Sequence, residues 1–279
     1  VTHAVRLTVA YDGSDFAGFA RQPGQRTVAG EIASAAERIS RHEIVVRAAS
    51  RTDSGVHAEG QIATFNTQRA LAPDRWCSAL NRYLPPDVAV RGVEACEPDY
   101  EPRFDSLNKT YRYLFHVAST RDPLLRTRAW HLGMGTGLRP LSREPGALLA
   151  IDLPAMRAAC AVMSGTHDFH AFRASADTRE NTLRTLTRVE LLERYAGQPS
   201  LLALEVQGDS FMMNMVRILA GTLVDVGRGR LSADDVARLL SDAGARKDAG
   251  STAPPHGLTL VAVTLGRLRL HAQASRSAR

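Results

Sequence analysis

The stretch 44–66, IVVRAASRTDSGVHAEGQIATFN, reads as strand, turn, strand. Apolar and β-branched residues crowd 44–49, and apolar residues recur through 61–66. Between them lies a polar run holding Asp53 and Gly55, the composition of a turn at a strand's end. No helix separates the two strands. Working outward, further strands are predicted at 5–11, 88–93, 109–117, 185–192, 201–207 and 258–265, and helices at 28–40, 74–84, 153–164, 211–226 and 233–241. Ser232 followed by Asp235 has the spacing of a capping box for the last helix. Strands that follow one another directly predict an α+β fold with a largely antiparallel sheet, rather than a doubly wound parallel one.

The predicted break lies near Pro102, before the tyrosine-rich strand. It gives an N-terminal α/β half at 1–103, a C-terminal half at 104–265, and a basic tail at 266–279 that is expected to be disordered. The Pro- and Gly-containing stretch 139–150 and the polar stretch 174–182 read as loops.

The 279 residues carry a normal globular balance, 44% hydrophobic and 23% charged. No apolar run approaches the roughly 20 residues that span a bilayer. The alternation of Val5, Leu7 and Val9 with Arg6 and Thr8 suits a strand, not a signal peptide, so a cytoplasmic protein with no membrane partner is expected. Cys77, Cys96 and Cys160 are widely spaced, which suits buried reduced thiols and argues against a cysteine metal site or disulfide framework. The net charge is +6. Four tail arginines supply most of it, and only Lys109 and Lys247 are lysines. Arginine pairs phosphates bidentately, so an RNA partner fits, although biased genomic composition would produce the same excess.

Three segments carry candidate chemistry. Asp53 in its turn is the first; taken alone, it is a solvated turn carboxylate. In KTYRYLF, 109–115, Tyr111, Tyr113 and Phe115 share one strand face. Tyr113 and Phe115 read as core, while Tyr111 at the strand's beginning could stack on a base. In SFMMNMVRILAG, 210–221, a helix apolar almost all round holds Arg217, whose guanidinium needs an anionic partner. Asp53 is the candidate; a purely architectural ion pair is the alternative.

Together these motifs bring a family into view. RTDSGVHA (51–58), GQIATF (60–65), KTYRY (109–113), GTHDFHAF (165–172) and FMMNMVRILAG (211–221) resemble the tRNA pseudouridine synthase A family. YDGSDFAGFARQ (11–22), ALNRYLPPDVAV (79–90) and PHGLTLVAV (255–263) fit as well, in family order. The resemblance implies two ferredoxin-like α/β halves sharing a largely antiparallel sheet, and a homodimer working without metal or nucleotide cofactor. It implies isomerisation of uridine at positions 38, 39 and 40 in the tRNA anticodon arm. On matched positions, Asp53 is the nucleophile, Tyr111 packs on the target base, Arg217 pairs with Asp53, and Arg51 fills the space of the flipped nucleotide. Arg21, His57, Arg103, Lys109 and Phe211 are expected to bind the RNA. Phe19 stands where many members have Trp, Ala29 where Gln is common, Ser50 where Gly is common, and Glu101 where His is usual.

The chemistry suits these residue types. Turning uridine into pseudouridine exchanges a C–N for a C–C bond between the same rings, with no redox change. A carboxylate can attack the ribose or assist its deprotonation, and a nearby Arg keeps it ionised. The stacked base must first be flipped out. The rival readings are an inactive tRNA-folding chaperone, the same chemistry on another RNA, and a nucleoside hydrolase. A metal site at His57, His167 and His170 lacks ligand spacing. The glycines of 133–137 are followed by Leu138-Arg139-Pro140, not by a dinucleotide-binding helix.

Overall fold

The computed structural model describes residues 2–133, 136–144 and 146–266. In chain order the elements are β1 (His3–Tyr11), α1 (Val28–Ser40), β2 (Arg47–Ala48), β3 (His57–Thr67), α2 (Pro73–Tyr83), β4 (Val88–Cys96), α3 (Pro102–Asp105) and β5 (Ser106–Val117). Then follow β6 (Trp130–Leu132), α4 (Leu153–Met163), β7 (Gly165–Asp168), β8 (Leu183–Leu192), β9 (Leu201–Gly208), α5 (Met215–Gly227), α6 (Ala233–Leu239) and β10 (Leu258–Leu265). The fold is α+β, with helices packed on mixed but mainly antiparallel sheet. No helix among the described residues is long and apolar enough to cross a membrane.

The chain divides into two compact units. Among the described residues, the first holds 2–109 and 259–266. Its strands run in the order β4, β1, β3, β10, with β2 also on β3. β1 lies antiparallel to β3, His3 opposite Thr67, and to β4, Ala4 opposite Cys96. β10 lies parallel to β3, with Thr259 beside His57. Val5, Leu7, Val9 and Tyr11 of β1 are buried, as period-two alternation requires. α1 starts on the Thr27 hydroxyl, which accepts the Gly30 N–H at 3.2 Å. It buries Val28, Ile32 and Ala36. α2 contributes Trp76 and Leu80, and Trp76 meets Phe65 of β3 edge-on, ring centres 5.3 Å apart. Truncating such an aromatic to Ala typically costs about 3–5 kcal/mol.

The second unit spans Thr110–Leu258. Its strands run β5, β9, β8, β7, with β6 parallel to β5. β8 is antiparallel to both neighbours. α4 packs against α5, α6 and β8. Met156 and Met163 of α4 join Phe169, Phe172, Leu219 and Leu223 in a fully buried core.

Three expectations change, and the described part of 139–150 is a loop as expected. The units are not 1–103 and 104–265: β10 comes from the chain's far end but pairs with β3, so it belongs to the first unit. The strand predicted at 44–49 shrinks to Arg47–Ala48. The Ile44 N–H is taken by the Glu37 carboxylate at 3.1 Å, and Val45 is left exposed. The helix predicted from Phe211 begins at Met215, because Asn214 is left-handed at φ 59°. The stretch 139–150 is partly tied down, with bridges pairing Ala118 to Leu148 and Pro140 to Leu149. The basic tail from 267 lies outside the described residues.

The capping box is present. The Ser232 hydroxyl accepts the Asp235 N–H at 3.1 Å, and the Asp235 carboxylate accepts the Ser232 N–H at 2.8 Å. Hydrogen bonds from the Ser232 backbone and hydroxyl hold the Asp235 carboxyl down at about 2. A depressed carboxylate stabilises the fold fully above the ordinary range, and that contribution fades as pH falls from roughly 4 toward about 2. Ser232→Ala is expected to lower the thermal midpoint by roughly 2–4 °C. NMR titration should show the Asp235 carboxyl rising back toward its ordinary range; an unmoved Asp235 would show that the hydroxyl contributes nothing.

Candidate active site

Asp53 sits at an exposed turn between β2 and β3 in the first unit. Regular pairing stops at Ala49, whose N–H reaches the Ile62 carbonyl at 2.9 Å. The buried Gln61 side chain then takes over the ladder. Its amide donates to the Ser50 carbonyl at 2.6 Å, and its oxygen accepts the Ser50 N–H at 3.3 Å. Beyond Asp53 the chain reverses, with the Val56 N–H on the Asp53 carbonyl at 3.2 Å and Gly55 at φ 78°.

The same turn is gripped from residues 11–19. The Phe19 N–H donates to the Thr52 carbonyl at 3.1 Å, and the Tyr11 and Thr52 hydroxyls are 2.7 Å apart. The Phe16 carbonyl accepts both the Ser54 hydroxyl at 3.1 Å and the Gly55 N–H at 3.3 Å. Two glycines permit this approach. A Cβ on Gly13 would stand 2.0 Å from the Val56 carbonyl oxygen. One on Gly18, at φ +111°, would stand 2.8 Å from the Thr52 carbonyl oxygen. The motif 11–22 is therefore the cradle of the Asp53 turn.

His57 was expected to touch RNA. The structure corrects this, because the ring is only 1% exposed. Its Nδ1 lies 3.0 Å from the Gly13 N–H and 3.1 Å from an Asp12 carboxylate oxygen. A lone pair there accepts from Gly13 and a proton there would donate to Asp12, so the tautomer decides which is served. Either way the ring props the cradle. Arg51 is exposed beside Asp53. Arg21 is exposed in an open groove of about 690 Å³, shared with Gln22, Gln25, Thr27 and Glu31. Arg103 is exposed on α3 and Lys109 is half-buried on β5. Glu101, the departure nearest Arg103, is neutralised by Arg47 at 3.1 Å. Tyr100 gives its hydroxyl to Asp105 at 2.5 Å, which with burial pushes the phenol well above its usual range.

The second unit brings Tyr111, Phe211 and Arg217 into one neighbourhood. Tyr111, Tyr113, Phe115 and Val117 line one buried face of β5. Tyr111 meets the half-buried Phe211 edge-on, ring centres 5.1 Å apart. Arg217 stands in the first turn of α5, not its middle, and is half-buried. Its Nε donates to the Ala253 carbonyl at 2.6 Å and its Nη1 to the Asn214 side-chain oxygen at 2.7 Å. The left-handed Asn214 thus aims the guanidinium. Asp53 belongs to one unit and Arg217 to the other. His167 and His170 direct their Nε2 atoms at the carbonyls of Ser164 and Gly244, 2.9 and 2.7 Å away. Sequence reasoning missed Gln61 and Thr52 as supports of the turn, although both lie inside the quoted motifs.

The sequence has relatives in one enzyme class, the tRNA pseudouridine synthases. The family profile described as tRNA pseudouridine synthase matches residues 7–105 and 159–264. The tRNA pseudouridine synthase A of Geobacter sp. (strain M21) is 39% identical over 261 residues, covering 93% of this chain and 97% of that protein. That of Citrifermentans bemidjiense is 40% identical, covering 93% and 96%. That of Halalkalibacterium halodurans is 39% identical, covering 91% and 89%. The chain belongs to the tRNA pseudouridine synthase A family, and its activity is the isomerisation of uridine to pseudouridine in tRNA.

Gly13→Ala forces backbone against backbone. It is expected to cut turnover at least tenfold and to destabilise by about 1–3 kcal/mol, the usual range for overpacking. Wild-type turnover and thermal midpoint together would show that the 11–19 cradle does not hold the Asp53 turn.

Proposed function

We propose that the chain acts at positions 38, 39 and 40 of the tRNA anticodon stem-loop, with Asp53 as nucleophile on a flipped-out uridine. The observation that carries this is the Asp53 turn: an exposed carboxylate on a backbone fixed at Ser50, Thr52, Ser54 and Gly55. A purely solvated turn carboxylate requires no such buttressing, whereas a nucleophile gains most of its advantage from being held in place.

The Asp53 carboxylate adds to ribose C1′, or takes a proton from C2′, while the C1′–N1 electron pair leaves with uracil. The detached ring turns so that C5 faces C1′, and the C5–C1′ bond forms as the Asp53–C1′ ester bond breaks, or, on the deprotonation route, as C2′ takes its proton back from Asp53. The C5 proton departs and N1 ends protonated, so the product is an isomer of the substrate. Uracil must stay trapped throughout, and Tyr111 with Phe211 offers aromatic surface for it. Arg217 supplies the cation that keeps Asp53 ionised. Arg51 fills the gap left in the stem, and Arg21, Arg103 and Lys109 meet phosphates. Each unit is read as a ferredoxin-like half; the order β1–α1–β2–β3–α2–β4 of the first supports this. A cytoplasmic homodimer working without a cofactor completes the reading.

Tritium release from tRNA carrying 5-tritiated uridine tests the chemistry, because only substitution at C5 frees the label. Asp53→Ala is expected to lose release by roughly 10⁴-fold or more, with tRNA affinity kept within about threefold, well short of the 1.4 kcal/mol of a tenfold change. Release by Asp53→Ala at the wild-type rate, or a parallel loss of affinity, would refute the nucleophile role. Arg217→Met is expected to lower both turnover and thermal midpoint; a fully active, fully stable variant would remove Arg217 from the site.

A further inference from the structure

The mechanism leaves one buried charge unused. Asp177 lies in the polar loop between the 3-10 turn His170–Phe172 and β8, yet only 3% of its side chain is exposed. Its carboxylate accepts from Arg179 Nη2 at 2.6 Å, Arg179 Nε at 2.9 Å and the Met213 N–H at 2.8 Å. Arg179 also donates through Nη1 to the Phe211 carbonyl at 3.1 Å. The Ala174 N–H adds a bond to the Met213 carbonyl at 3.1 Å. Three backbone groups of 211–213 are thus committed to a single loop. These bonds keep Phe211–Asn214 out of α5, although its apolar sequence favours helix.

We propose that Asp177, locked by Arg179, is a positioning residue for the reaction: it sets the 211–214 turn so that Phe211 shapes the aromatic surface beside Tyr111 and Asn214 aims Arg217. The inference rests on the roles given above to Phe211, Tyr111 and Arg217. Geometry carries it. Phe211 touches Tyr111 at one end of the turn, Asn214 holds Arg217 Nη1 at the other, and the Met213 N–H on Asp177 lies between them. Electrostatics agrees: the Arg179 guanidinium holds the Asp177 carboxyl well below the usual carboxylate range. Arg179 is half exposed and Asp177 is not, which places the clamp's dry end against the turn. A loop that only linked two elements would not require a buried carboxylate with four donors, the Arg179 N–H at 3.2 Å being the fourth.

Steady-state tritium release from full-length tRNA distinguishes a positioning role from mere stability. The variants are Asp177→Ala, Asp177→Asn, Phe211→Ala and the double Asp177→Ala/Phe211→Ala. Asp177→Ala is expected to lower kcat about 10–100-fold, the scale of a 1 Å misplacement, with KM changed by less than about threefold. Asp177→Asn should fall between it and wild type, since its amide oxygen still accepts the Met213 N–H but no longer balances Arg179. Effects routed through one turn do not add, so the double variant should be within about twofold of the slower single one. A multiplied loss in the double variant overturns the proposal, as does a loss in KM alone. Wild-type kcat for Asp177→Ala beside a slow Phe211→Ala overturns the clamp while sparing the parent reading. Wild-type kcat for Phe211→Ala overturns the parent reading and the clamp with it. Should Asp177→Ala fail to fold, Arg179→Gln removes the grip on the Phe211 carbonyl from a half-exposed position, and a kcat loss of about 3–10-fold is then required.

Discussion

In the first unit backbone is pressed against backbone where Gly13 and Gly18 meet Val56 and Thr52. The Asp53 carboxylate, the nucleophile of the proposed reaction, faces solvent, so burial of its own side chain does not fix it. Its turn must be fixed instead, from behind. Ordering a turn of this length opposes a conformational entropy of roughly 1–2 kcal/mol per residue, and each hydrogen bond returns about 0.5–1.5 kcal/mol net. Hydrogen bonds alone are therefore marginal. The remainder comes from burial of Tyr11, Phe16, Phe19, Val56 and His57 around the contact. Side chains at positions 13 and 18 would hold the two segments apart and expose that apolar surface.

The second unit solves a different problem with the same means. Phe211 and Arg217 lie on one apolar segment that would run as a single helix if left to its composition. A left-handed Asn214 breaks it, and the loop carrying Asp177 and Arg179 occupies the backbone groups thereby released. Buried N–H and C=O groups must be satisfied, so a helix can end early only where another segment accepts the orphans. The departure from helix and the buried carboxylate are one feature seen from two sides.

The sequence was readable wherever a pattern is local. Alternation in β1, β5 and β10, the apolar face of α1 and the Ser232 box all appear at the expected places. The site was readable as motifs: the 11–22 and 51–58 segments were singled out, and they prove to be in contact. The failures have a common cause in contacts distant along the chain. Glu37 takes the Ile44 N–H and shortens β2. Asp177 and Arg179 hold the turn that delays α5. His57 looked like an RNA ligand because a histidine beside a catalytic motif invites that reading, but Gly13 and Asp12 close over it. The domain limits erred because no local signal tells a strand at 258–265 that its neighbour was made long before.

That last pairing governs when the enzyme becomes competent. β10 lies against His57 and Ala58, the first residues after the Asp53 turn. A ribosome completes β3 early, then makes the whole second unit before β10 emerges, an interval on the order of ten seconds at ordinary elongation rates. Throughout that time β3, the strand that follows the Asp53 turn, lacks its parallel partner. The nascent chain thus carries Asp53 on an unfinished sheet, and the sheet of the first unit closes only after the whole second unit has been made. A polypeptide released before β10 would carry the Asp53 turn on a sheet that lacks its parallel strand.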